Sequence, residues 1–158
     1  VIYMIKSAQG NIKRIVAVRL TPGEDVLLGL EKVCADYGIK DGIILTGIGS
    51  LDGATFFNPE LIPEKKAKYG YGEPIVLRGP IELVSLDGMI CHDDEGKILL
   101  HLHYGLSDQH GTGHGGHVIE GNKVLLTVDV VIAELEGLEM GRAYDEDLEV
   151  FLFSPKQK

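Results

Sequence analysis

Histidine is concentrated in one short part of this chain. Five of the six histidines among 158 residues lie between His101 and His117. A neutral imidazole is the commonest protein ligand for zinc and related ions. The stretch Lys97–Tyr104 is predicted to be a strand, in which residues two apart share a face. His101 and His103 would then project side by side, about 6.6 Å apart along the strand.

A glycine-rich segment follows this pair and ends in Gly115-Gly116-His117. Such a segment could reverse the chain and bring a third imidazole close to the first two. Three imidazole ligands would leave a tetrahedral metal ion with one open coordination position. We therefore predict a site for Zn²⁺ or another divalent transition metal formed by His101, His103 and His117. Imidazoles alone do not distinguish zinc from nickel, iron or manganese.

Four other polar residues near this segment have two interpretations each. His110 and His114 are expected to be exposed loop histidines, with the alternative that one of them approaches the metal. Glu120 is the nearest carboxylate after His117. It is the candidate catalytic residue, as a general base or as a group that orients an imidazole, with a solvated strand end as the equal alternative. Asp108 has similar standing.

Composition predicts an ordinary soluble globular chain, taken as a single domain over residues 1–158. Its hydrophobic content of 44% and charged content of 25% are usual values for that class. The net charge of −9 argues against direct DNA binding, because an acidic domain repels a phosphate backbone.

Three further observations bear on where the protein works. No apolar run is long enough to cross a bilayer, so no membrane association is expected, and no signal-peptide pattern opens the chain. Cys34 and Cys91 are far apart and belong to no metal or redox spacing. We expect a reduced, cytoplasmic setting in which Cys34 is a small buried apolar residue.

One amphipathic helix is predicted at about residues 22–37. Thr21 would cap it, Pro22 would occupy its first position, and Glu24 follows three residues after the cap. Apolar residues then recur at helical spacing up to Tyr37, and Gly38 supplies the stop.

The rest of the chain is predicted to be strands separated by turns. An opening hairpin is expected, with strands Ile2–Lys6 and Arg14–Leu20 on either side of a Gly10-Asn11 turn. Asn58–Glu73 is expected to be an exposed loop. The repeated tetrapeptides Ser50–Gly53 and Ser85–Gly88 are each expected to form a turn. About eight to ten strands and one helix give an α+β fold, with the helix packed on a curved, mainly antiparallel sheet.

These segments together resemble the PPC domain, also called DUF296, a domain of plants and prokaryotes that accompanies AT-hook motifs in plant nuclear proteins. The matching segments occur in the family's order and are Arg19–Val26, Ile44–Leu51, Glu82–Gly88, His101–His103 and Gly115–Gly121. The resemblance implies an α+β domain that assembles as a homotrimer, with its histidines near a cleft. In some prokaryotic relatives these histidines hold a metal ion, usually assigned as zinc, and the matching positions are His101, His103 and His117.

The chain departs from the plant members at two places. The plant proteins bind AT-rich DNA through an Arg-Gly-Arg-Pro hook, whereas Leu77-Arg-Gly-Pro80 lacks the second arginine. Plant members also favour arginine and phenylalanine where Pro80 and Ile81 stand. The resemblance therefore classes this chain with DNA-binding proteins without giving it their hook.

Two functions follow from the sequence. The first is a stand-alone homotrimeric binding module that holds a divalent metal and takes a small ligand or a partner in a cleft between subunits. The alternative is a zinc-dependent enzyme that uses metal-activated water on a small molecule, with Glu120 moving protons. Direct nucleic-acid binding ranks last.

Overall fold

The computed structural model describes residues 4–158, which contain ten β-strands and one α-helix. In chain order these elements are β1 (Asn11–Leu20), α1 (Val26–Tyr37), β2 (Gly42–Phe57), β3 (Pro59–Leu61), β4 (Tyr69–Tyr71), β5 (Ile75–His92), β6 (Ile98–Asp108), β7 (Gly113–Val118), β8 (Val124–Glu136), β9 (Leu138–Asp145) and β10 (Val150–Gln157). Crossing a membrane would take a longer and more apolar helix than residues 4–158 contain.

Eight strands form one sheet in the order β1-β8-β2-β7-β6-β5-β9-β10. Strand β2 also pairs with β5, so β2, β7, β6 and β5 form a closed circuit of paired strands. The pairings are antiparallel except for one parallel contact of β5 with β9, at His92 and Gly141. The predicted α+β fold with a curved, mainly antiparallel sheet is confirmed.

The helix begins four residues later than its capping pattern predicts. Asp25 is the N-cap, and its carboxylate accepts a hydrogen bond from the Leu28 amide at 3.1 Å. Gly23 has a φ of 88°, outside the helical region, so Thr21–Glu24 forms a turn before the helix. The prediction that Thr21 caps the helix is therefore wrong. The prediction that Gly38 ends it is confirmed, because Gly38 is left-handed at φ 67°.

The helix closes the core against one face of the sheet. Its buried residues, Val26, Leu30 and Cys34, recur every four positions and therefore share one side. They pack with buried strand residues that include Leu51, Phe56, Leu83, Leu102 and Ile132. Burial of Cys34 confirms its expected role as a small apolar residue.

The two repeated tetrapeptides do not form turns. Ser50–Gly53 lies inside β2 and Ser85–Gly88 lies inside β5, so both predictions of a turn are wrong. The β2–β5 register shifts between Leu51 and Gly53, and the β5–β6 register shifts between Leu83 and Ser85. Each irregularity lies within or beside a repeat, which indicates that the chain bends and continues as a strand instead of reversing.

The predicted opening hairpin is not found in the described residues. Ile2 and Tyr3 lie outside them, and Met4–Gly10 forms no strand. β1 begins at Asn11 and pairs with β8, which lies more than a hundred residues further along the chain. The segment Asn58–Glu73 is mostly exposed, as expected, but contains the small β3–β4 hairpin.

A buried asparagine ties the end of β7 to the sheet. The Asn122 side chain is inaccessible to solvent, and its amide donates to the carbonyl oxygens of Thr55 and Ile119, each at 2.8 Å. Its oxygen accepts from the Thr55 amide and from the Tyr104 hydroxyl, at 3.0 and 2.7 Å. These bonds hold β2, β6 and the segment after β7 together beside the histidines.

Candidate metal centre

The register of β6 and β7 brings three histidines onto one face of the sheet. His103 lies directly opposite His117 in this antiparallel pair, and His101 is two residues before His103 on the same strand. Opposed residues and residues two apart share a face. The three ring centroids accordingly lie 4.9 to 5.4 Å from one another. The sequence-predicted residues are thus together, while their role as metal ligands stays a prediction.

The ring nitrogens converge toward a common point. Nε2 of His101 and Nε2 of His103 are 3.1 Å apart, and one nitrogen from each of the three rings lies within 4.8 Å of the others. Tetrahedral zinc with nitrogen ligands at about 2.0–2.1 Å places those nitrogens about 3.3 Å apart. The His101–His103 pair is already near that spacing, and small rotations of the side chains would bring in His117.

Burial lowers the pKa of two of these imidazoles, those of His101 and His117, and so favours the neutral form that coordinates metals. Burial, and then the nearby His101 and His103, lower the pKa of His117 to about 4. Burial and His103 also lower the pKa of His101. Nδ1 of His117 is buried and has no hydrogen-bond partner among the described residues. A neutral ring with an unsatisfied buried nitrogen fits a metal ligand, because a metal takes deprotonated nitrogen.

The two glycines before His117 allow β7 to fit between its neighbours. A Cβ on Gly116 would lie 2.6 Å from the carbonyl oxygen of Phe57, and one on Gly115 would lie 2.5 Å from that of Tyr104. Both distances are too short for a real Cβ contact with backbone. Asn58 also donates its side-chain amide to the Gly115 carbonyl at 3.2 Å. The glycines therefore set how closely His117 approaches β6.

An aromatic residue covers the third histidine. The Tyr71 ring lies 4.8 Å from the His117 ring and stacks on Phe57 at 5.4 Å. Tyr71 belongs to β4, within the segment that the sequence predicts only as an exposed loop. Sequence reasoning missed this residue, although two tyrosines spaced two apart in a polar loop, Tyr69 and Tyr71, were a usable signal.

The histidine cluster lies between two cavities. One, of about 390 Å³, is lined by His101 and His103 together with Ile44, Asp87 and Met89.

The second cavity, of about 440 Å³, is lined by His101 and His117 together with Tyr71, Arg142 and Phe151. Sequence reasoning missed Arg142, and no local signal could have found it, since it comes from β9. Both volumes lie within the range of small-molecule sites.

Asp108 and His114 form a separate pair at the turn between β6 and β7. Their side chains are 3.0 Å apart, and Asp108 also accepts hydrogen bonds from the amides of His110 and Thr112. The His114 bond, and then the Thr112 amide, lower the pKa of Asp108 to about 2. His110 is exposed, as predicted, whereas His114 lies on β7 and is half-buried, so its prediction as an exposed loop histidine is wrong. Neither of them belongs to the three-histidine cluster. Asp108 therefore organises a turn.

Glu120 is not part of the histidine cluster. It is exposed beyond the end of β7, and its charge adds to the burial and to the Asp25 charge that raise the pKa of Glu31 in α1. The structure thus places Glu120 within electrostatic reach of the helix. Its catalytic role stays a prediction that this geometry does not support.

Fold and site together define an α+β protein with one helix on an antiparallel sheet and a candidate three-histidine metal centre. The sequence model of the Plants and Prokaryotes Conserved (PCC) domain matches residues 7–136. The chain belongs to this family, which confirms the resemblance drawn from its motifs.

Solved structures of similar proteins share the fold. A metal-containing protein from Archaeoglobus fulgidus is 28% identical with a TM-score of 0.80, over 94% of this chain and 99% of that one. A plant- and prokaryote-conserved protein from Pyrococcus horikoshii is 28% identical with a TM-score of 0.76, over 94% and 97% of the two chains.

Curated relatives include the bifunctional protein GlmU of two Synechococcus strains. One is 28% identical over 77% of this chain, and the other is 27% identical over 86% of it. The matches span only 17% and 19% of those proteins, so the similarity concerns a small part of each.

Proposed function

We propose that this protein is a binding module that holds a divalent transition-metal ion, zinc in the first instance, through His101, His103 and His117. The observation that carries the proposal is the convergence of three ring nitrogens within 4.8 Å of one another. The unpaired buried nitrogen of His117 supports it. The similar archaeal protein is itself described as metal-containing, which adds independent support.

Three imidazole ligands leave a zinc ion one position for a ligand from outside the protein. Such an ion supplies Lewis acidity, which favours an oxygen or nitrogen donor of a small molecule. The two cavities beside the histidines give such a molecule room. We therefore include a small organic ligand in the proposed function.

The test is the metal content of protein purified without a histidine tag, measured by plasma mass spectrometry after dialysis against zinc. We expect about one zinc per chain in the wild-type protein and a strong loss in His101→Ala, His103→Ala and His117→Ala. The matched control is His110→Ala, which removes an exposed histidine outside the cluster and should retain the metal. Equal zinc content in all four variants would refute the proposal.

The proposed module is a homotrimer with its ligand in a cleft between subunits. Support comes from large apolar side chains on the outer face of the sheet, where Ile15 and Ile48 are 62% and 55% exposed. Exposed apolar patches on a sheet commonly mark an interface.

The enzymatic alternative has less support. The proton acceptor predicted for it, Glu120, lies outside the cluster. Direct DNA binding is also disfavoured, because a net charge of −9 opposes association with a phosphate backbone.

A further inference from the structure

The second cavity beside the histidines has a wall that the family match does not include. The cavity is lined by His101 and His117, by the β3–β4 segment and by the β9–β10 hairpin, which forms the wall in question. That hairpin, residues 138–157, lies beyond the matched residues 7–136. The residues that form this wall are therefore not among those that define the family match.

Arg142 gives this wall a positive charge without a carboxylate partner. One of its terminal nitrogens donates to the Phe151 carbonyl at 2.7 Å, and its Nε is buried with no hydrogen-bond partner. Within residues 4–158, no carboxylate forms an ion pair with it. A guanidinium has five N–H donors, and the bond to Phe151 leaves most of those of Arg142 unpaired, so a carboxylate that enters the cavity can form a charge-assisted hydrogen bond with it.

Arg142 shares this cavity with two of the candidate metal ligands. It lines the same space of about 440 Å³ as His101 and His117. A ligand that meets Arg142 in this cavity is therefore within reach of the same histidines.

The rest of the cavity is mainly apolar and aromatic. Tyr71 covers His117, and the side chains of Phe151 and Leu152 are 52% and 37% exposed. Aromatic and aliphatic side chains around a small number of polar groups are the usual lining of a small-molecule site. They would bury the apolar part of a ligand whose charged end meets Arg142.

We propose that this cavity binds a small carboxylate with an apolar, preferably aromatic, body. The carboxylate pairs with Arg142, and the body lies between Tyr71 and the β9–β10 hairpin, beside the candidate metal. Polyanions such as nucleotides are disfavoured, because the cavity is lined by only two strong cations, Arg142 and Lys65, in a chain of net charge −9. The inference names the ligand class and rests on the small-ligand part of the proposed function.

The test is isothermal titration calorimetry of the full chain with benzoate, phenylacetate and 3-phenylpropanoate, each compared with its neutral amide. We expect saturable binding of at least one acid, with its amide about tenfold or more weaker, because the charge-assisted bond is lost. Arg142→Gln should lower the affinity for the acid by a similar factor. Arg78→Gln, on the exposed surface of β5, is the matched control and should leave binding unchanged. The acid–amide comparison uses wild-type protein, so it stands even if Arg142→Gln fails to fold.

Zinc content is measured on the same samples, with and without chelator. Normal zinc binding with no saturable binding of any acid, or with equal affinity for acids and amides, would overturn this inference and leave the metal site intact. Acid binding that depends on Arg142 in protein that takes up no zinc would support the inference and refute the metal site. The two failures are therefore distinguishable.

Discussion

His117 shows how burial and neighbouring groups act together on a single residue. Burial penalises the charged ring, and His101 and His103 penalise it further, so its pKa falls to about 4. The ring is therefore neutral at physiological pH. The same crowding that disfavours a protonated ring leaves His117 in the neutral form that binds a metal ion.

Burial shifts the pKa of the two cysteines in the opposite direction to that of His117. Cys34 and Cys91 are 0% and 1% exposed, and burial raises the pKa of Cys34 to about 12 and that of Cys91 to about 11. Only the thiolate reacts with alkylating reagents. We expect neither cysteine to be labelled by iodoacetamide at pH 8 in the folded protein, measured by intact mass spectrometry.

Unfolding the protein in guanidinium is the control and should expose two reactive thiols per chain. Rapid labelling of either cysteine without denaturant would contradict this assignment, because it would require a thiolate that the buried environment disfavours.

At the scale of elements, β7 packs so closely between β2 and β6 that its glycines should matter for metal binding. In Gly116→Ala the new methyl group would meet backbone at 2.6 Å, so β7 should shift and His117 should move away from its partners. We expect zinc affinity to fall at least tenfold, measured by competition with a chromogenic chelator. In Gly113→Ala, on the same strand, the new Cβ has nothing within 4 Å, and zinc affinity should not change. Equal affinities in the two variants would show that β7 tolerates the added atom.

The start of α1 gives a second prediction at this scale. Asp25 accepts from Leu28 in the helix and from the Gly121 amide at 2.7 Å, so it joins the helix to the segment after β7. We expect Asp25→Ala to reduce the free energy of unfolding by about 1–2 kcal/mol, as for loss of an N-cap. The measurement is chemical denaturation followed by circular dichroism.

Thr21→Ala separates the two capping assignments. Thr21 is exposed and precedes the helix by five positions, so its replacement should change stability by less than about 0.5 kcal/mol. A larger effect for Thr21 than for Asp25 would restore the assignment predicted from the sequence.

At the scale of the whole molecule, assembly is expected to cover an outer face of the sheet. Ile48 and Val131, from neighbouring strands, line an open depression of about 440 Å³ there. We expect light scattering to give three times the monomer mass, and Ile48→Asp to give the monomer, because a buried unpaired carboxylate opposes association.

The control for assembly is Leu61→Asp, which adds the same charge on the small β3–β4 hairpin, outside the main sheet. This variant should keep the trimer mass. A monomeric wild-type protein, or a trimer that tolerates Ile48→Asp, would count against this interface.

Local patterns in the sequence were enough to predict the α+β class, the presence of the helix and its end, and the position of His101 and His103 on one face of the same strand. These features depend on side-chain periodicity within a few residues, which the sequence states directly. The Gly-Gly-His segment also predicted a third ring near the first two. The single-domain prediction for residues 1–158 stays a prediction.

Tertiary structure alone decided what surrounds the histidines. Whether Ser50–Gly53 turns or continues depends on strands β5 and β8 that pair on both sides of it, and these lie far along the chain. Tyr71 and Arg142 reach His117 from β4 and β9, which no local pattern relates to it. A sequence states which residues are neighbours along the chain, whereas register and packing between distant strands determine which residues meet in space.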